Sequence, residues 1–379
     1  MKPKIRIRNQ SNELKEETFS TLFNKINDTY HNVSSDLYSK YGSFPIIDQS
    51  QQFIIGYTDK VQPIIPQKGI IIFGDHTREL KYVDFPFCTG ADGTQILSVK
   101  TNDNPLFLYF YCKSLNIPNT GYNRHLKYLK EAKFFIPTSL NEQKSIADFF
   151  LNYDRWINES KSYIDRLHQI KSACLQSMFP QEGESVPKVR FKGFEKEWIK
   201  VEFGNLLDEC FEKSKTENED ILLSSAINGL FLNSELFGHQ RGKSNIGYRK
   251  IKKNMLILSA QNLHLGNANV NLRFEHGLVS PAYKIYYLRN VNPLFMHQWI
   301  KRDSTKTFFL NATTAGASLC RKNIVWEDLY RQTLLVPSLE EQEHIGRFFI
   351  NLDKQISLQT QRLEKLKQIK SACLDKMFV

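Results

Sequence analysis

Several polar stretches of this sequence combine basic side chains with side-chain amides, the chemistry by which proteins contact the edges of base pairs. Arginine and lysine bind guanine and phosphate, whereas asparagine and glutamine pair with adenine. We predict DNA contacts by fourteen residues of such stretches: Gln51, Gln52, His76, Arg78, Asn123, Arg124, His239, Gln240, Arg241, Lys243, Asn245, Arg249, Gln261 and Asn262. For any one of them a solvated loop residue is the favoured interpretation, so the prediction depends on the set.

The motifs of enzymes that act on nucleic acids are incomplete in this chain. An adenine methyltransferase needs an Asp/Asn-Pro-Pro-aromatic motif, whereas residues 104–107 and 292–295 both read Asn-Pro-Leu-Phe, which a helix cap followed by proline explains better. The stretch Gly238-His-Gln-Arg-Gly-Lys-Ser is one residue shorter than a phosphate-binding loop. The nine histidines and six cysteines show no metal-ligand spacing. We therefore predict no catalytic residue, no metal and no cofactor in this chain.

The overall composition favours a polyanionic partner. The chain of 379 residues carries a net charge of +11, and both halves share the positive excess. Such a charge on a folded protein indicates nucleic acid before membrane. The beginning of the sequence shows no secretory signal, and no apolar run approaches the roughly 18 residues of a membrane span. We expect a cytoplasmic protein that does not bind membranes.

The most informative feature of the sequence is an internal repeat. Residues 146–179 and 345–378 are identical at 16 of 34 positions, at a constant offset of 199. A segment that begins with proline and ends in Glu-Gln precedes each copy, at residues 137–143 and 337–342, and Pro-Lys-(Ile/Val)-Arg opens each half at residues 3 and 187. The regions 16–133 and 199–325, by contrast, differ between the halves. The chain is therefore a two-fold duplication in which each half contains its own variable region.

The repeated segments show apolar residues in steps of four and three, which is typical of coiled-coil helices. The predicted seam residues are Ile146, Phe150, Ile157, Ile164, Leu167, Ile345, Phe349, Ile356, Leu363 and Leu366. Polar residues interrupt both seams at equivalent positions, Ser160 with Gln359 and Lys171 with Lys370, and such interruptions can fix the register. The alternative interpretation is an amphipathic helix that packs on the core of its own domain. The four-three pattern over nearly five heptads favours pairing of the two helices with each other.

Short apolar runs bounded by turn residues predict strands in both variable regions, and the Asn-Pro-Leu-Phe motifs predict helices. We therefore predict a mixed α+β fold. Two globular α/β domains are joined by an intramolecular antiparallel coiled coil of two long helices with a pseudo-two-fold axis. The predicted boundaries are 1–136 for the first domain, 137–179 for the first long helix, 180–186 for a linker, 187–336 for the second domain and 337–379 for the second long helix.

Two unlike variable regions, each followed by a proline, Glu-Gln-x-x-Ile, a Phe-Phe pair, an aspartate and a heptad helix, resemble the specificity subunits of type I restriction-modification systems. The segment Phe191-Lys-Gly-Phe-Glu-Lys-Glu-Trp198 is similar to the usual start of a target recognition domain in that family, whereas Asn9-Gln-Ser-Asn departs from it in the first half. The resemblance covers essentially the whole chain.

The resemblance implies that each target recognition domain reads one half of a split, asymmetric site in double-stranded DNA. It also implies that the paired helices set the spacing and hold two methyltransferase (modification) subunits, and that restriction (motor-nuclease) subunits complete the complex. S-adenosylmethionine, ATP and magnesium would then belong to those partner subunits. The chief alternative is a DNA-binding regulatory or architectural protein that acts without enzyme partners. A self-sufficient methyltransferase or nuclease and a structural coiled-coil adaptor explain fewer of these features.

Overall fold

The computed structural model describes residues 3–6, 13–27, 32–90, 93–237, 244–318 and 321–378. Two compact units account for the fold: unit 1 comprises Met1–Ser162 with Gln361–Val379, and unit 2 comprises Tyr163–Thr360. The division falls within the two long helices rather than at their ends, so each unit contains part of both helices. The domain boundaries drawn from the sequence stay predictions.

The secondary structure alternates short strands with helices of very different length. The helices are α1 (Phe19–Leu22), α2 (Pro105–Ser114), α3 (Leu126–Glu131), α4 (Leu140–Ser177), α5 (Asn233–Phe237), α6 (Pro293–Ile300), α7 (Asp303–Leu310), α8 (Trp326–Arg331) and α9 (Leu339–Met377). The strands before α4 are β1 (Leu14–Thr18), β2 (Phe23–Ile26), β3 (Asn32–Val33), β4 (Phe44–Ile47), β5 (Gly56–Thr58), β6 (Ile70–Gly74), β7 (Leu80–Val83), β8 (Cys88–Gly90), β9 (Thr94–Val99) and β10 (Lys133–Pro137). The later strands are β11 (Ile199–Glu202), β12 (Leu207–Cys210), β13 (Leu223–Ala226), β14 (Gly229–Leu232), β15 (Arg249–Lys252), β16 (Leu256–Ser259), β17 (Ala268–Val270), β18 (His276–Val279), β19 (Tyr283–Leu288), β20 (Thr313–Ser318), β21 (Arg321–Ile324) and β22 (Thr333–Val336).

Unit 1 is built around an antiparallel sheet in the order β2-β9-β6-β7, and β3-β8-β4-β5 form a second sheet. Strand β6 is apolar throughout because it is buried on both faces. Its side chains alternate, so Ile71 and Phe73 enter the cluster that contains helix α2, whereas Ile70 and Ile72 pack with Phe87 in another cluster. A buried central strand thus separates the helical layer from the second sheet.

Unit 2 repeats this arrangement with a different sequence. Its sheet has the order β12-β19-β16-β17, again antiparallel. In strand β16, Leu256 and Leu258 enter the cluster that contains helix α6, and Ile257 enters a second cluster. The pair β11–β22 corresponds to β1–β10 of unit 1. The predicted mixed α+β fold is therefore confirmed.

In unit 1, the first part of α4 pairs with the last part of α9. The rings of Phe150 and Phe378 stack with centroids 5.6 Å apart, and the Lys370 ammonium donates a hydrogen bond to the Asp154 carboxylate. Residue numbers rise along one helix as they fall along the other, so the pair is antiparallel.

In unit 2, the equivalent contacts join the last part of α4 to the first part of α9. Lys171 Nζ lies 2.5 Å from Asp353 Oδ1, and the rings of Phe179 and Phe349 lie 6.4 Å apart. The two lysine–aspartate pairs occupy repeat-equivalent positions, because both members of one pair are offset by 199 from their counterparts in the other. Seven of the ten predicted seam residues are buried, and Ile164, Ile356 and Leu366 are half-buried.

The glutamine of each repeated Glu-Gln pair, Gln143 or Gln342, connects a long helix to the Asn-Pro-Leu-Phe helix of the same unit. Gln143 Oε1 accepts a hydrogen bond from the Asn104 N–H at 2.7 Å, and its amide nitrogen donates to the Pro137 carbonyl at 2.8 Å. Gln342 accepts from the Asn292 N–H at 2.7 Å, and its amide donates to the equivalent proline carbonyl. The two repeated motifs therefore recur together because they bind each other.

Candidate nucleic-acid interface

Three loops of unit 1 that carry predicted DNA-contacting residues lie against one another. The His76 N–H donates a hydrogen bond to Gln49 Oε1 at 3.2 Å, which joins the loop after β4 to the turn after β6. The His76 ring also stacks on the ring of Tyr122, with centroids 4.4 Å apart and planes inclined by 6°. The tertiary structure thus brings the segments around residues 49–52, 76–78 and 122–124 to one place.

Buried polar contacts hold two of these loops together. His125 is fully buried, and its Nδ1 lies 2.8 Å from the Asp75 carbonyl oxygen, while Nε2 lies 3.1 Å from Thr120 Oγ1. The Asp75 carboxylate accepts a further hydrogen bond from the Leu126 N–H at 2.8 Å. Because buried and satisfied polar networks rigidify their surroundings, the loop of residues 117–125 has a fixed position on the turn after β6.

A buried lysine holds the third loop. Lys81 on strand β7 is only 4% exposed, and its Nζ donates to the backbone carbonyls of Asp48 at 2.7 Å and Gln52 at 2.5 Å. Burial lowers the pKa of Lys81, and the Asp48 carboxylate, 3.9 Å away, opposes that effect. The sequence prediction did not include Lys81, although a lysine within an apolar strand is a signal that could have identified it.

The exposure of the predicted residues of unit 1 separates contact candidates from structural ones. Gln51, Gln52, Asn123 and Arg124 are exposed. His76 and Arg78 are half-buried; Arg78 has a left-handed backbone with φ of 65° and directs Nη1 at the Ile117 carbonyl, 3.4 Å away. Sequence reasoning missed Tyr122, which is 85% exposed although it stacks on His76. An exposed aromatic ring on a fixed support is suited to stacking against nucleic-acid bases.

In unit 2 the predicted residues are more scattered. His239, Gln240, Arg241 and Lys243 lie outside the described residues. Asn245 is 1% exposed. Its Oδ1 accepts a hydrogen bond from the Asn218 N–H, and its Nδ2 donates one to Asn218 Oδ1. The side chain therefore serves the protein interior rather than a base as predicted. Arg249 is half-buried over the exposed ring of Phe211, at 5.9 Å. Gln261 is exposed, and Asn262 is half-buried at the start of a short 3-10 turn.

The long helices carry exposed apolar side chains at repeat-equivalent positions. Leu140 and Leu339 occupy the first positions of α4 and α9, and Ile170 and Ile369 lie near their other ends. All four side chains are at least 36% exposed. Each pair therefore occupies equivalent, solvent-facing positions on the two long helices.

Within the part of the chain that the structure describes, no group of three or more histidine, cysteine, aspartate or glutamate side chains is placed to hold a metal ion. In the same residues, no helix combines the length and apolar character needed to cross a membrane.

Comparisons with known proteins agree with this architecture. Residues 13–171 match the family model of the type I restriction modification DNA specificity domain. The S subunit of a type I restriction-modification system from M. genitalium is 17% identical, with 100% of this chain and 99% of that chain aligned and a TM-score of 0.61. The HsdS subunit from Thermoanaerobacter tengcongensis is 16% identical over 83% of this chain and 81% of its own, with a TM-score of 0.43. The first likeness shows a shared fold.

Proposed function

We propose that the whole chain is the DNA-reading subunit of a type I restriction-modification system, because residues 13–171 match the family model of the type I restriction modification DNA specificity domain. The observation that carries the proposal is the position of the three-loop cluster. All of its loops lie within the matched residues, and buried anchors fix them while their amide and basic side chains stay exposed. This combination is what base readout requires, since rigid supports position the side chains that contact base edges.

Unit 2 repeats the sheet order, the helix pairing and the glutamine cap of unit 1, but its loops differ in sequence. Two similar supports with unlike loops suit two readers of different sequences. We therefore infer that the chain reads a bipartite, asymmetric site in double-stranded DNA, with one half-site for each unit. Because its proposed target is DNA, we also expect the chain to act in the cytoplasm.

The exposed apolar positions shared by α4 and α9 support two equivalent docking surfaces for methyltransferase subunits, to which motor-nuclease subunits would be added. In this proposal the chain determines which DNA sequence the complex binds and contributes no catalytic group. S-adenosylmethionine, ATP and magnesium are used by the partners. The helix pair would set the length of the unread spacer between the half-sites, because its length limits how far apart two readers can be held.

The test is a methylome. The chain is co-expressed with its cognate methyltransferase in a host free of adenine methylation, and N6-methyladenine is mapped. A two-part asymmetric motif with a fixed gap is the expected result. Arg124→Gln should weaken methylation, because Arg124 is an exposed cation of the loop cluster. Lys68→Gln is the matched control, because Lys68 is an exposed cation at the opposite end of strand β6.

A complex that assembles with its methyltransferase but methylates no such motif would contradict the proposal. Failure of any complex to assemble would instead favour a DNA-binding regulator that acts without enzyme partners.

A further inference from the structure

A β-hairpin of unit 2 that the sequence reasoning did not identify is held at its tip by a half-buried lysine. Strands β13 and β14 pair with Ala226 opposite Gly229, which leaves Ile227 and Asn228 as a two-residue tip. Lys301, just after α6, donates from Nζ to the Ile227 carbonyl at 2.9 Å. The same ammonium group also donates to acceptors on strand β17, at 2.8 and 3.3 Å.

A buried asparagine on strand β17 fixes the rest of the tip. Asn269 is 1% exposed, and its amide nitrogen donates to Ser225 Oγ at 2.7 Å, to the Ala226 carbonyl at 2.8 Å and to the Gly229 carbonyl at 3.4 Å. The Ser225 carbonyl accepts from the Tyr283 hydroxyl at 3.0 Å. The backbone carbonyls of residues 225, 226, 227 and 229 therefore all accept hydrogen bonds from side chains of the sheet or from Lys301, which leaves the tip little freedom to move.

The position of Lys301 is unfavourable for the stability of the fold. No carboxylate among the described residues lies within 4 Å of Lys301, so its charge is balanced by carbonyl and amide dipoles alone within that set. Burial lowers the pKa of Lys301 to about 8, and the nearby charge of Lys171 adds to the effect. Because burial of a cation without a counter-ion is unfavourable, an apolar residue would serve stability better at this position. We attribute the presence of a lysine at position 301 to its hydrogen bonds with the hairpin tip, which fix the position of the tip.

The tip presents groups suited to a groove of DNA. Ile227 is 48% exposed and Asn228 is exposed. The hairpin is joined to the loop that carries the exposed Gln261, because Asn267 of that loop bonds Ser225 at 3.0 Å. Apolar side chains contact the thymine methyl group or the base steps, and amides pair with base edges.

The loop that is hydrogen-bonded to the hairpin has basic neighbours. Lys322 contributes to the lowered pKa of His264, whose main cause is burial, and His264 lies in the same loop as Gln261. Lys306, which also pairs with Asp303, packs beside Gly266 at the end of that loop. Lysines beside a loop that is bonded to the tip suit a polyanionic partner.

We propose that residues 227–228 enter a groove of double-stranded DNA and discriminate bases in the half-site read by unit 2. The inference rests on the proposed function and extends it to a second reading element of unit 2. Lys301 acts as a positioning residue, since its ammonium group contacts the tip backbone and its side chain is only half-exposed.

The experiment measures methylation by the assembled complex on DNA duplexes that carry every single base substitution across both half-sites. For Ile227→Ala and Asn228→Ala we expect discrimination to fall about 5- to 10-fold at one or two neighbouring base pairs of a single half-site. Lys301→Met should affect the same base pairs although the tip residues are unchanged. Ile221→Ala, at a 44% exposed isoleucine before the same hairpin, is the matched control and should leave every position unchanged.

Full discrimination by both tip variants would overturn the inference, as would an equal loss at both half-sites or the same loss in the Ile221→Ala control. Circular dichroism and thermal melting of each complex exclude misfolding as the source of a loss. If the unchanged complex shows no bipartite motif, the proposed function itself fails, and that outcome is distinct from an intact motif that ignores the hairpin.

Discussion

Replacement of Asp154 by asparagine should destabilise the protein more than the same replacement at Asp353. The two aspartates are repeat-equivalent, and each pairs with a lysine of the opposite long helix. Their lysine partners differ in burial, since the Lys370 side chain is 12% exposed and the Lys171 side chain is 24% exposed. Lys370 also lies over the ring of Phe110, at 5.6 Å. Loss of Asp154 therefore leaves the more deeply buried cation without its counter-ion.

The magnitude follows from these burials. Loss of one partner costs about 3–5 kcal/mol for a fully buried ion pair, whereas an exposed pair is worth about 0.2–1 kcal/mol. We expect about 2 kcal/mol for Asp154→Asn and about 1 kcal/mol for Asp353→Asn. Thermal melting should show this as a fall of roughly 4–8 °C against roughly 2–4 °C.

The pH dependence provides an internal check. Burial lowers the pKa of Lys370 and Asp154 opposes that shift, so removal of Asp154 lowers the pKa further. A lysine with a depressed pKa in the folded state binds fewer protons than in the unfolded state, so stability rises with pH above the folded pKa. The deficit of Asp154→Asn should therefore shrink as the pH approaches 10.5.

The charge-reversed double variant Asp154→Lys with Lys370→Asp should recover part of the lost stability. Equal melting shifts in Asp154→Asn and Asp353→Asn would refute the reasoning from burial. Absence of any recovery in the double variant would show that the pair contributes through packing rather than charge.

Three further predictions concern other buried polar groups. Burial lowers the pKa of His297 to about 4, so stability should fall as the pH drops from about 6.5 to about 4, by up to about 3 kcal/mol, and His297→Asn should flatten the urea-unfolding profile over that range. Lys81→Met should leave the circular dichroism spectrum unchanged but weaken DNA binding about tenfold, because the carbonyls of the 48–53 loop lose their donor; unchanged affinity would argue against the loop as a contact. Gln143→Leu and Gln342→Leu should each cost about 1–3 kcal/mol in melting experiments, because each leaves a helix-capping N–H without its acceptor; a loss in one variant without the other would contradict the equivalence of the two repeats.

Much of the architecture could be predicted from the sequence because it depends on local patterns. The offset of 199 reveals two equivalent helices, and the four-three spacing identifies which side chains lie between them. The Asn-Pro-Leu-Phe motif predicts a capped helix, and Asn104 and Asn292 do accept hydrogen bonds from the first turns of α2 and α6. These features require only neighbours along the chain or a repeat of them.

The candidate site depended on contacts that no local pattern contains. Asn245 looks like a reader in the sequence, but it lies in the interior because residues around 218 fold over it. Lys81 and Lys301 look like ordinary surface lysines, yet Lys81 is buried and Lys301 half-buried, and each donates hydrogen bonds to backbone carbonyls of distant loops. A side chain can be assigned as reader or support only when its burial and acceptors are known, and both are set by segments tens of residues away. The sequence therefore determined the repeat and the helices, whereas the tertiary structure decided which polar residues support the loops and which remain exposed to a partner.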